Sequence, residues 1–174
     1  GVEGAILSLR GGDTAGDTVA RTIAEAGIGD LSSVFLDRTT PSYTALLDAE
    51  GELIAGLADM GLYEIGFAKQ MRRRKLRDAV AEADAVLCDA NMPAAAVEAL
   101  ARTAAGKPLH AIAISPAKAV RLAGVLAALS CLFMNVREAR VLAGLDEVTE
   151  PASAARALAA KGLASGIITA GGAA

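Results

Sequence analysis

From residue 85 onward the sequence repeats one pattern: a short, unbroken apolar run ends in polar residues, and a helix-like segment follows. Ala85-Val86-Leu87-Cys88 ends in Asp89-Ala90-Asn91-Met92-Pro93, and Pro93 suits the first turn of a helix running to about Ala104. Leu109 to Ile114 ends in Ser115-Pro116-Ala117-Lys118, and another helix follows. Leu129 to Met134 ends in Asn135, which can cap a helix from Val136 to Ala143 that Gly144 stops. Pro151 opens one more helix, closed at Gly162, and Ser165 to Thr169 forms the last strand, before Gly171. Continuous apolar strands alternating with helices predict an α/β fold with a mostly parallel sheet covered on both faces. In such sheets ligands bind beyond the carboxyl ends of the strands. Asp89 and Asn91, Ser115 and Lys118, Asn135 and Glu138, and Thr169 with Gly171 all fall at those ends, and the topology predicts that they share one edge. Singly, each also has a plainer reading: Asn135 as a cap, Asp89 as a turn residue, Lys118 as a solvated helix residue.

The first half is less regular. Ala5 to Leu9 reads as a strand, and Gly11 to Asp17 as a turn feeding a helix. Thr14 or Asp13 would cap that helix, Val19, Ile23 and Ala26 mark its apolar face, and Gly27 ends it. Ser33 to Leu36 is a short strand. Then Tyr43, Ala45 and Leu47 alternate with Thr44, Leu46 and Asp48, a turn follows at Asp48-Ala49-Glu50-Gly51, and Leu53 to Leu57 returns. This is a β-hairpin, at about residues 37–62, inserted in crossover sequence. Such insertions are commonly lids or interaction elements on a rigid scaffold. Phe67 to Ala83 reads as a helix carrying the basic run Lys69 to Arg77. The run reads as a solvated face, with Met71, Leu76 and Val80 turned inward.

Several functions lack material. The net charge is −3 and aromatics are 3 %, which argues against nucleic-acid binding and base stacking. No apolar run has the length of a membrane span, and the first residues lack the basic region of a secretory signal. Cys88 and Cys131 lie in apolar runs, which suggests a reducing, cytoplasmic setting. No Cys/His cluster exists and His110 is the only histidine, so the sequence offers little material for a zinc site or a Ser-His-Asp triad.

Several segments, in order, resemble one family. Asn135-Val136-Arg137-Glu138-Ala139 with Leu142-Ala143-Gly144 resembles the N-x-x-E-A…L-x-G segment of the ribokinase-like (PfkB-type) carbohydrate and nucleoside kinases. Gly12-Asp13-Thr14-Ala15-Gly16 resembles their G-x-D-x-x-G, Ile168-Thr169-Ala170-Gly171 their V-T-x-G, and Asp89-Ala90-Asn91 with Pro93 their substrate-side strand end. The hairpin lies where that family carries a β-lid. Its residues Thr39 to Met60, and Ser115 to Leu122, are most similar to the pseudouridine kinase branch.

The resemblance implies a ribokinase-like three-layer sandwich, with residues 1–174 forming one partial domain. It implies ATP-dependent phosphorylation of a primary hydroxyl on a sugar or nucleoside, in the branch reading pseudouridine to pseudouridine 5′-phosphate. Such chemistry asks mainly for positioning and charge stabilisation. Glu138 and Asn135 would act around Mg²⁺, through water rather than directly. Lys118, Asn135, Thr169 and Gly171 would serve nucleotide and phosphate, and Tyr43, Thr44, Asp59, Asp89 and Asn91 the substrate. A homodimer through the hairpin, using Leu46, Ile54 and Leu57, is expected as well. The acceptor, the nucleotide and a monovalent-cation requirement stay open. The family's catalytic Asp, in a D-T-x-G-A-G-D loop, would lie downstream of Thr169, and its G-G-x-x-x-N-x-A segment before residue 1. Ile112-Ala113 stands where relatives of the branch often have Asp-Pro. The expectation is an incompletely recorded kinase; the alternative is a remnant without a base that binds a nucleoside or associates through its lid.

Overall fold

The computed structural model describes residues 1–51, 53–146, 148 and 150–171. Glu52, beside the hairpin turn, and the terminal Gly172-Ala173-Ala174 lie outside the described residues. Contacts divide the chain into two compact units, Gly1–Leu76 and Arg77–Ala174.

The first unit opens with two short strands, β1 (Ala5–Ile6) and β2 (Leu9–Gly11), where one strand was expected. Helix α1 (Thr14–Glu25) then leads to β3 (Gly29–Asp30) and β4 (Ser33–Phe35), which pair in parallel with β1 and β2 respectively. Asp13 caps α1, its carboxylate accepting from the Gly16 amide at 2.9 Å. Gly16 and Ile23 are the buried positions of this helix. Val19 and Ala26, expected on the buried face, are exposed, because the contact stripe runs through Gly16, Ala20 and Ile23 instead.

The hairpin is present: β5 (Ser42–Leu47) pairs antiparallel with β6 (Leu53–Asp59), with an irregularity between Leu46 and Leu47. Every side chain of β5 is exposed. Beyond it, the expected helix from Phe67 to Ala83 is two helices, α2 (Gly61–Gln70) and α3 (Arg74–Glu82). The end of α2 tightens, with the amides of Arg72 and Arg73 bonding back three residues to Lys69 and Gln70, and so the helix stops. Met71, Leu76 and Val80 are buried at 8 %, 5 % and 5 % exposure, and Arg72 to Lys75 and Arg77 are exposed, as expected of a solvated basic face. On α2, Tyr63 and Phe67 meet edge to face at 5.2 Å, and the Tyr63 hydroxyl lies 3.3 Å from that of Ser8.

The second unit is built on four parallel strands in sequential order: β7 (Val86–Asp89), β8 (Leu109–Ile112), β9 (Cys131–Asn135) and β10 (Gly166–Thr169). The connections are α4 (Ala94–Thr103), then α5 (Pro116–Ala119) continuing as a 3-10 helix (Val120–Ala128), then α6 (Val136–Ala143) and α7 (Pro151–Ala160). Leu109, Ala111, Leu132 and Met134 line the buried face. The other face departs from expectation. Leu87, Ile112, Phe133 and Ile167 share it by register and are 37–61 % exposed, so no described residue fully covers them. Among the described residues, no helix is long and apolar enough to cross a membrane.

Candidate active site

Each strand of the second unit releases its polar residues at the carboxyl edge, and two groups form there.

The first group joins β7 to α5. Asp89 ends β7, and its two carboxylate oxygens accept from Asn91: Oδ1 from the backbone amide at 2.8 Å and Oδ2 from the side-chain amide at 3.1 Å. The Asn91 Oδ1 in turn accepts from the Lys118 ammonium at 2.5 Å. An ionised carboxylate has about four acceptor sites, so Asp89 keeps capacity on each oxygen for a further donor such as a sugar hydroxyl. Asp89, Asn91 and Lys118 are each half-buried, which strengthens their charge-assisted bonds while leaving access. Lys118 was expected to act on phosphate and Asn91 on the substrate, and the Lys118 ammonium is bonded to the Asn91 side-chain amide.

The second group joins β9 and β10. Asn135 caps α6, its Oδ1 accepting from the Glu138 amide at 2.9 Å. Glu138 reaches back, Oε2 accepting from the Asn135 backbone amide at 2.8 Å and Oε1 from its Nδ2 at 2.9 Å. This is a full capping box at the start of α6, and at its other end Gly144, in the left-handed region at φ 76°, stops the helix. Thr169 pairs with Asn135 in the parallel register and is exposed, and Gly171 follows at φ 67° with open space where a side chain would be. The edge therefore collects Asn135, Glu138 and Thr169.

Glu138 is 5 % exposed, and both of its oxygens are engaged inside the box. No group of three or more carboxylate, histidine or cysteine side chains suited to a metal occurs among the described residues.

The hairpin candidates belong to the first unit. Tyr43 pairs with Ala58, Thr44 with Leu57 and Ser42 with Asp59. Neighbouring residues of a strand project to opposite faces, so Thr44 and Asp59 share one face and Tyr43 takes the other. The same rule sets Leu46 and Leu57 with Thr44, and Ile54 with Tyr43. The apolar residues thus divide over both faces. At the hairpin base, Asp13 Oδ1 accepts from the Thr40 hydroxyl at 2.5 Å and Oδ2 from its amide at 2.8 Å. The Thr40 hydroxyl also accepts from the Gly11 amide at 2.9 Å. The bonds from the Thr40 hydroxyl, the Thr40 amide and the Gly16 amide, the first the largest, hold the Asp13 carboxyl below its usual value.

Sequence reasoning missed three features. Arg121 bonds the loop after β7 from about thirty residues away, which no local pattern announces. Ile114 lies in a strained turn at the end of β8. A cleft of about 220 Å³ is lined by Pro116, Arg137, Arg140, Val141 and Leu145, where the motif had drawn attention only to Asn135 and Glu138. The cysteines are both free, and burial, with the neighbouring Asp89 carboxylate, pushes the Cys88 thiol up to about 11, so it stays protonated at neutral pH.

No protein-family model and no curated protein matches the chain. Solved structures do. A carbohydrate kinase from Agrobacterium tumefaciens is 43 % identical with a TM-score of 0.83, the match covering 96 % of this chain and 53 % of that one. A ribokinase from Giardia lamblia matches at 13 % identity and TM-score 0.79, over 96 % of this chain and 53 % of that one. An adenosine kinase from Schistosoma mansoni in complex with adenosine matches at 15 % identity and TM-score 0.77, over 95 % and 53 %. The chain has the ribokinase-like α/β fold, and it spans about half the length of these solved structures.

Proposed function

We propose that this chain is part of the phosphate- and acceptor-binding scaffold of a PfkB-type kinase, which transfers a phosphoryl group from ATP to a primary hydroxyl of a sugar or nucleoside. The observation that carries the reading is the bonded chain Asp89–Asn91–Lys118 at the carboxyl edge of the sheet that also presents the Asn135–Glu138 box. A hydroxyl-bearing ligand needs fixed acceptors, and Asp89 is one. A transferring phosphoryl group needs cationic and dipolar surroundings. Lys118 offers the first from the acceptor side, and the start of α6 beside Thr169 and Gly171 offers the second. Mg²⁺, carried with the nucleotide, would supply charge neutralisation and would meet Glu138 and Asn135 through water. The 43 % identity to a carbohydrate kinase supports the same reading.

Within that class we infer pseudouridine as the acceptor. The inference rests on the likeness of the hairpin and of Ser115 to Leu122 to the pseudouridine kinase branch, with Tyr43, Thr44 and Asp59 as further acceptor-side residues. The natural protein that carries this chain should release ADP from ATP in the presence of pseudouridine, faster than with ribose, adenosine or fructose. ADP release with one of the others alone would remove the pseudouridine inference, and release with none would remove the kinase reading. Dimerisation through the hairpin belongs to the same proposal, supported by Leu46, Ile54 and Leu57 at 50 %, 68 % and 63 % exposure. A monomer mass in solution at micromolar concentration would contradict it.

A further inference from the structure

The loop after β7 is gripped by Arg121. One terminal nitrogen of the Arg121 guanidinium lies 3.4, 3.0 and 3.4 Å from the carbonyl oxygens of Ala90, Asn91 and Met92. Three consecutive carbonyls turned toward one cation is an arrangement a free loop would not keep. Ala90 and Met92 are 0 % and 7 % exposed, so the loop is anchored on each side of Asn91, and Arg121 closes the backbone between the anchors. From the same stretch of chain, three residues earlier, Lys118 holds the Asn91 side chain. One segment thus fixes both the backbone and the amide of the asparagine that positions Asp89.

That segment is itself aimed by a strained turn. The Ser115 amide donates to the Ala113 carbonyl at 2.8 Å, across a single residue, and Ile114 between them has φ 68°. This is the γ-turn of positive φ, which is rare and strained, and a β-branched residue is poorly suited to it. Strain of this kind persists where the surroundings over-determine it, and it clusters at functional sites. Here it turns the chain sharply from β8 into the helix carrying Lys118 and Arg121.

We propose that Arg121 is a positioning residue for the acceptor: it orders the β7–α4 loop so that the Asp89 carboxylate, oriented by Asn91, meets the acceptor hydroxyls in a fixed direction. It touches carbonyls rather than substrate. A guanidinium suits the task because it is always protonated and presents a planar array of donors. The inference deepens the kinase reading and rests on it.

The test uses the natural protein with Arg121→Ala and Arg121→Lys. Arg121→Ala should lower kcat/KM for the acceptor by about a hundredfold, the scale of a reactant displaced by about an ångström, with KM for ATP within about twofold of wild type. Arg121→Lys should recover about tenfold of that loss, since an ammonium can hold one or two of the carbonyls. Hydrogen exchange should rise about tenfold at the amides of 90–92 in Arg121→Ala and stay unchanged in β10. The inference is overturned if the acceptor and ATP constants move together, if exchange rises across all strands alike, or if exchange at 90–92 does not change. A wild-type protein inactive toward every acceptor overturns the kinase reading, and this inference with it. An active wild type with unchanged Arg121→Ala kinetics overturns this inference alone.

Discussion

The hairpin and the four-stranded sheet are both β-structure, yet they are held by different means. In the sheet, Leu109, Ala111 and Leu132 are at most 1 % exposed, and burial of apolar surface supplies the stability. In the hairpin, all of β5 is exposed, and cross-strand pairs must serve in place of a core. A two-stranded ribbon alone is marginal, so its base gains importance: Asp13 ties Thr40 with two hydrogen bonds just before β5 begins. The contrast separates a scaffold that resists deformation from an element that opens at little free-energy cost.

The sharpest way to break this contrast is a pair of truncations. Leu132→Ala, at a position with 0 % exposure, should destabilise by about 3 kcal/mol in denaturant unfolding. Leu57→Ala, at 63 % exposure on the hairpin, should change stability by less than about 0.5 kcal/mol. Equal losses would mean that the hairpin has a core after all. Glu138→Ala comes next. It removes the acceptor for the Asn135 amide and Nδ2, and should destabilise by about 1.5 kcal/mol, with early exchange in the first turn of α6.

Ile114→Gly works in the other direction. It relieves a positive φ and gives up a side chain 42 % exposed, so stability should rise by about 1 kcal/mol while acceptor binding weakens. A loss of stability there would show that Ile114 is held by packing rather than strained. The smallest effect belongs to the hairpin base. The folded Asp13 carboxyl lies below its usual value of 3.8, so its contribution is fully present above that value and is lost as pH falls through the depressed one. Exchange at the Thr40 amide should therefore stay slow to below pH 3.8 once the intrinsic rate is divided out, and Asp13→Asn should make it fast at every pH. Identical protection in the variant would show that the latch is dispensable.

Local patterns carried much of this into the sequence. The capping box was readable because Asn135 and Glu138 stand three apart before an apolar stripe, and Gly144 marks the stop. The hairpin was readable from alternation about Asp48 to Gly51. What failed to show was set by distant partners. Asp13 looked like a helix cap, which it is, but Thr40 lies 27 residues away. Ile114 looked like strand because its side chain favours extended backbone, whereas the turn is imposed by the elements on either side. The helix from Phe67 was misplaced because Gly61, a poor helix former, begins α2, and no Gly or Pro announces the break before Arg74. The open face of the sheet was invisible too, since an apolar strand reads the same whether or not something lies over it.

One detail of the hairpin bears on how an exposed side chain can be steered. A Cβ at Gly56 would overlap the Tyr43 hydroxyl, so the phenol ring lies across the bare backbone of the opposite strand. Its direction is set by a methyl group that is not there. Gly56→Ala would therefore act at a distance of one strand, swinging the tyrosine off its bed while leaving every hydrogen-bonding atom of the ring intact. The direction of the Tyr43 ring is thus written partly in a residue with no side chain of its own.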